Sequence, residues 1–184
     1  MTIRAFYDRW PQYNQSLTEV VAAMTDEQLA IRPSPEGLPI WATVGHLACG
    51  RAYWLCGVLG EPGAETTPWP DALAWDGWED HLDHPRTATE LVWALDSTWA
   101  VVDRVLDTWE PSMLPEEVER RVGDNRQLHS RASILQRLLT HDAYHCGELS
   151  QTLGIAGLPR STSGARPTSG PGASPVSPRL GSNA

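Results

Sequence analysis

The chain has 184 residues, 41% of them hydrophobic, which is enough for one domain with a real core and short for two. Its formal net charge is -9 and its 14 basic residues are all Arg, so no basic patch offers itself to a phosphate backbone and lysine Schiff-base chemistry is excluded. Three Cys, no charged-then-apolar leader and no apolar run of membrane-spanning length give the expectation of a cytoplasmic protein with reduced thiols and neither nucleic-acid nor membrane partners.

Apolar residues at three-and-four spacing, Ile3, Phe6, Trp10, Tyr13, Leu17, Val20, Val21 and Met24, predict a first helix. Pro11 falls inside it, so either the helix kinks there or its regular part begins near Trp10 with Pro11 in the first turn. Residues 32–39, dense in Pro, Ser and Gly, read as a loop. A second helix is predicted from Ile40 to Leu59, with Val44, Leu47, Trp54 and Leu55 apolar, and the Gly-Glu-Pro-Gly run at 60–63 stops it. The stretch 64–85 mixes Pro, Gly, Asp and three Trp without a period and reads as a long ordered connection. Thr87 with Glu90 forms a capping-box signature before a third helix marked by Leu91, Leu95, Trp99, Val102, Leu106 and Trp109. Beyond Pro111 the chain is charged and irregular until Ser130, a candidate cap for a fourth helix that reaches about Leu153. Four amphipathic helices without strand-like alternation predict an all-α four-helix bundle over residues 1–158. Residues 159–184, rich in Ser, Gly and Pro with scattered Arg and no acid, read as a disordered tail.

The fourth helix contains His141 and His145, which at ~100° per residue lie on one face and can hold one metal ion together. Ile134 and Leu138 continue that face, so the pair looks into the bundle; two hydrogen-bonded core histidines are the bland alternative. A zinc-type site needs a third protein ligand, and His46 in the second helix is its best supplier. His81, His84 and His129 are weaker candidates, read as solvated. Cys49, three residues after His46, would close a four-ligand structural site if it ligated. Cys146 is turned about 100° from His145 and should pack against a neighbouring helix. Glu148, on the His141 face, is either a partner of a ligand, a proton-transfer group, or a member of a helix salt bridge. A metalloprotease motif requires Glu directly after the first His, where this chain has Asp142, and neither a phosphate-binding Gly-rich loop nor a nucleophile elbow is present.

Two segments together, Trp41-Ala-Thr-Val-Gly-His46-Leu followed by Tyr53-Trp54, and Leu138-Leu-Thr-His141-Asp-Ala-Tyr-His145-Cys-Gly147-Glu148-Leu, resemble the DinB-like family of metal-binding four-helix bundles. The resemblance covers most of residues 1–158. It implies that His46, His141 and His145 are metal ligands, because the family places one His in the second helix and an H-x-x-x-H pair in the last. It also implies bacterial chemistry of the thiol-transferase or isomerase kind, with a low-molecular-weight thiol such as mycothiol or bacillithiol as a small-molecule partner, and it allows a homodimer. The chain departs from the family pattern after Pro159, where the Ser/Gly/Pro tail replaces a short acidic and aromatic terminus.

These readings converge on a metal-dependent enzyme whose three imidazoles leave room for a thiol or water, with Glu148 and Tyr53 as catalytic candidates and Trp41, Trp54 and Cys49 lining the pocket. Zinc leads among divalent ions, with nickel, iron and cobalt acceptable to three neutral imidazoles. The rival is a non-catalytic metal-binding or interaction protein whose site ties two helices together.

Overall fold

Of the four long helices, two open on a hydroxyl that accepts from a first-turn amide and two open at a proline. The computed structural model describes residues 1–158, and the expectation of a disordered tail over 159–184 lies outside the described residues. Helix α1 spans Trp10–Ala22 with Pro11 in its first turn, which resolves the two alternatives left by the sequence. Its buried stripe is Trp10, Asn14, Leu17 and Val21. Phe6 and Tyr13 fall outside that stripe and are exposed: Ile3–Phe6 forms a separate 3₁₀ turn that buries only Ile3, and Tyr13 lies on the outer side of α1. After a one-turn helix α2 (Asp26–Leu29), helix α3 runs over Ile40–Ala52 and continues as a wider π-helical turn, Tyr53–Val58. Helix α4 (Ala88–Thr108) opens on a capping box in which Thr87 accepts from the Glu90 amide and Glu90 from the Thr87 amide. Helix α5 (Arg131–Ile155) opens on Ser130, whose hydroxyl accepts from the Ser133 amide at 3.1 Å.

One expectation fails. Between α4 and α5 the chain forms an antiparallel hairpin, β1 (Glu117–Val122) and β2 (Asn125–Ser130), with Glu117 opposite Ser130 and Val122 opposite Asn125. The fold is therefore mostly helical but not all-α. The hairpin left no apolar alternation in the sequence because its inward face meets the core through Val118 alone, with Arg120 at the next inward position, and most of its residues stay exposed. Gly123, at φ +57, supplies the positive dihedral that the first position of its two-residue turn needs.

The apolar interior divides into two clusters. One gathers Leu17, Leu47, Leu95 and Leu153; the other gathers Trp10, Leu55, Leu106 and Leu138. Every long helix passes between them through a buried polar residue: Asn14 on α1, Arg51 on α3, Thr98 on α4 and Asp142 on α5. Arg51 donates to Asp142 (2.7 Å) and Asn14 (2.8 Å), and the Trp10 indole donates to Asp142 at 2.7 Å. This network ties three helices at one level and fixes the rotation of α5 next to His141. Among the described residues no helix is long and apolar enough to cross a membrane.

Candidate metal centre

Packing of α3 against α5 brings His46 to the pair His141 and His145, which the helical period of α5 already places on one face. One ligand atom from each of the three lies within 4.8 Å of the others, and all three residues are partly buried. Ring centroids stand 4.5–5.1 Å apart, and the Nε2 atoms of His46 and His141 are 3.0 Å apart. Gly50, one turn along α3, allows this approach: a Cβ there would meet His141 Cε1 at 3.3 Å.

Two carboxylates orient the rings. His46 Nδ1 is bonded to Glu79, and His145 Nδ1 is bonded to Glu148 at 2.9 Å. An ionised carboxylate only accepts, so each bond places the proton on Nδ1 and leaves Nε2 with its lone pair facing the cluster. A single shared proton could satisfy one pair of facing nitrogens, whereas a cation satisfies all three imidazoles, and the donor set fits a divalent ion on that ground. Burial first, and then the neighbouring His145 and His46, push the His141 imidazole down to about 3, so it is a neutral base at physiological pH.

Glu79 was not among the sequence candidates. It lies in the Trp-rich connection, where the side chain of Trp78 seats on Gly45 of α3 so closely that a Cβ would meet it at 3.0 Å, and the next residue then reaches His46. The connection is ordered as expected, through three short 3₁₀ turns, with Trp69 and Trp78 buried. Trp75, the one non-glycine among the described residues with positive φ (50°), places its ring 6.1 Å from His46 and 4.3 Å from Tyr53.

The remaining candidates distribute as follows. Cys49 is buried but its sulfur is not in the ligand cluster, and burial together with Glu79, Asp80 and Asp76 pushes its thiol up to about 12. Trp41 is buried in the core. The Tyr53 hydroxyl does not reach a histidine; it accepts from Arg120 Nε at 2.6 Å. His81 and His84 are exposed on the connection, His81 beside Asp76, while His129 stacks edge-on against Trp54 at 5.0 Å and is not simply solvated. Cys146 packs against the core, as its helical phase required.

The model of the DinB superfamily matches residues 12–149, a span that includes all three histidines and both carboxylates. The chain belongs to the DinB superfamily. A solved structure of a DinB-like protein from Bacillus cereus ATCC 10987 aligns over 86% of this chain and 95% of its own, at 18% identity and a TM-score of 0.59. At that identity the likeness speaks for the DinB fold alone. Among curated proteins, none matches the chain.

Proposed function

We propose that this DinB protein is a metal-dependent enzyme that uses His46, His141 and His145 to hold one divalent ion, with zinc the leading candidate, and acts on a low-molecular-weight thiol or on water. The observation that carries the reading is the pairing of three converging imidazoles with two carboxylates, Glu79 and Glu148, that fix the rings of His46 and His145 from outside. When bound, the ion would lower the pKa of a thiol or water that reaches it. The protein's own part is to aim the Nε2 lone pairs of His46 and His145 at the cluster before the ion arrives and to keep the His141 ring neutral through burial. Glu148, 37% exposed, can also take a proton from a group arriving at the cluster, and Trp75 and Tyr53 wall the approach on the α3 side. Exclusion of Cys49 from the cluster supports an open, catalytic arrangement over a closed structural one.

Metal analysis and cobalt spectroscopy test this. The purified chain should bind one equivalent of divalent metal, and His141→Ala or His145→Ala should lose it. Cobalt-loaded protein should lack a sulfur-to-cobalt charge-transfer band until a small thiol is added, and Cys49→Ser should change neither state. A band present before any thiol, lost in Cys49→Ser, would establish the closed structural site instead.

A further inference from the structure

On the hairpin, Arg121 and Arg126 both close on Glu119. Arg120, which strand alternation turns to the other face, goes inward to the bundle. Its guanidinium carbon lies 5.3 Å from the Tyr53 ring and 5.0 Å from the Trp54 ring, and Arg137 on α5 covers the same Trp54 ring at 4.7 Å. Among the described residues neither arginine has a carboxylate within ion-pair distance, although acidic residues outnumber basic ones 23 to 14. Their charges reach His129 on the same indole, whose imidazole is lowered by burial and then by Arg137 and Arg120. Two guanidiniums gathered on one ring without a counter-charge repel each other, and a bridging anion removes that repulsion. Tyr53 accepts from Arg120, while its own O–H has no acceptor among the described residues, so a third donor faces the same place.

The position matters as much as the charge. Arg137 precedes His141 by four residues, so it stands on the same face of α5, roughly 6 Å along the axis. Tyr53 and Trp75 link the arginines to His46 on the other side. We propose that Arg120 and Arg137, with the Tyr53 hydroxyl, form an oxyanion subsite beside the three-histidine centre that takes the carboxylate or phosphate of a small-molecule substrate whose other end reaches the histidines. Guanidinium forks suit both oxyanions, and the aromatic walls of Tyr53, Trp54 and Trp75 accept the apolar part between the two ends. In its reference to a metal-bound end, the proposal rests on the reading given above.

Cobalt-loaded full-length protein is titrated with 3-mercaptopropionate and with 2-mercaptoethanol, following the sulfur-to-cobalt band. The charged thiol should bind about tenfold more tightly or better, as one or two charge-assisted hydrogen bonds allow, and added salt should narrow the gap. In Arg120→Gln/Arg137→Gln the ratio should fall toward one while cobalt content and the thermal melt hold. Equal affinities in the parent protein, or a ratio that survives the double substitution, overturn the subsite. A second arm uses metal-free protein and tryptophan fluorescence, with acetate and inorganic phosphate as separate probes. A saturable change lost in the double variant supports the subsite even where cobalt fails to load, and the tighter probe identifies the oxyanion. No saturable change with either probe in the parent protein overturns it.

Discussion

Replacing Asp142 with Ala attacks the polar layer that separates the two apolar clusters, and the structure sets the size of the effect. Asp142 accepts from Arg51 (2.7 Å) and from the Trp10 indole (2.7 Å), and both donors are buried. Without it the Arg51 guanidinium keeps, among the described residues, Asn14 as its hydrogen-bond partner, at 2.8 Å, and a charge stays buried without its counter-ion. Breaking such a pair from one side costs about 3–5 kcal/mol, a large part of the roughly 5–15 kcal/mol that holds an ordinary domain together. At roughly 2–4 °C per kcal/mol for a chain of this size, the melting temperature should fall by on the order of 10 °C. Urea unfolding in the presence of a chelator measures this without the stabilisation that metal binding would add. The double variant Arg51→Met/Asp142→Leu, which removes both charges, should lose less than Asp142→Ala alone. A loss below about 1 kcal/mol in Asp142→Ala, or a double variant less stable than the single one, would refute the reasoning.

Glu79→Gln should weaken metal binding by about 10- to 100-fold, measured by competition with a chromophoric chelator, because His46 loses the acceptor that fixes its tautomer; unchanged affinity would remove Glu79 from the site. Gly50→Ala should reduce metal affinity with little change in helix content, since the added methyl presses on His141 at 3.3 Å; an unaltered affinity would mean that the ring has room to shift. In metal-free protein His141 is pushed from 6.5 down to about 3 by burial, His145 and His46, so between those pH values the unfolded chain binds a proton that the folded chain does not. Stability should therefore fall as pH drops through that window, and His141→Gln should flatten the dependence; parallel curves for the two proteins would exclude this origin.

How far the sequence reveals the fold depends on whether a residue's role is written in local periodicity. Leu91, Leu95, Val102 and Leu106 repeat at helical spacing because one face of α4 is buried, and the boundaries at Thr87 and Ser130 are legible because capping needs particular side chains at particular offsets. The hairpin at 117–130 obeys no such constraint. Its strands carry mostly Glu, Arg, Asn and Gln, and it is specified by the backbone ladder, the turn at Gly123 and cross-strand pairs such as Arg126 with Glu119, none of which leaves an apolar period. The overlong stripe drawn from Ile3 to Met24 fails for the opposite reason: Phe6 and Tyr13 fit the period but fall where no partner helix covers them.

The site divides along the same line. His141 and His145 belong to one helix, so a spacing of four residues is itself a geometric statement, and Glu148 follows from the same helix by bonding to His145 three residues away. Glu79 is held at His46 by the fit of Trp78 on Gly45, a tertiary contact between an aperiodic connection and α3 that no window of sequence contains. Asp142 is a sharper case, since its place beside His141 is plain while its partner Arg51 lies 91 residues away and is matched to it only once α3 and α5 pack. The imidazoles and Glu148 can therefore be read from the chain, whereas Glu79, which orients His46, and the Arg51–Asp142 pair, which sets the level of α5, come from segments brought together by packing. Substitutions at Gly45, Trp78 or Asp142, which touch no ligand atom, should accordingly weaken metal binding by about 10- to 100-fold in a chelator competition, short of the loss expected on removing a histidine.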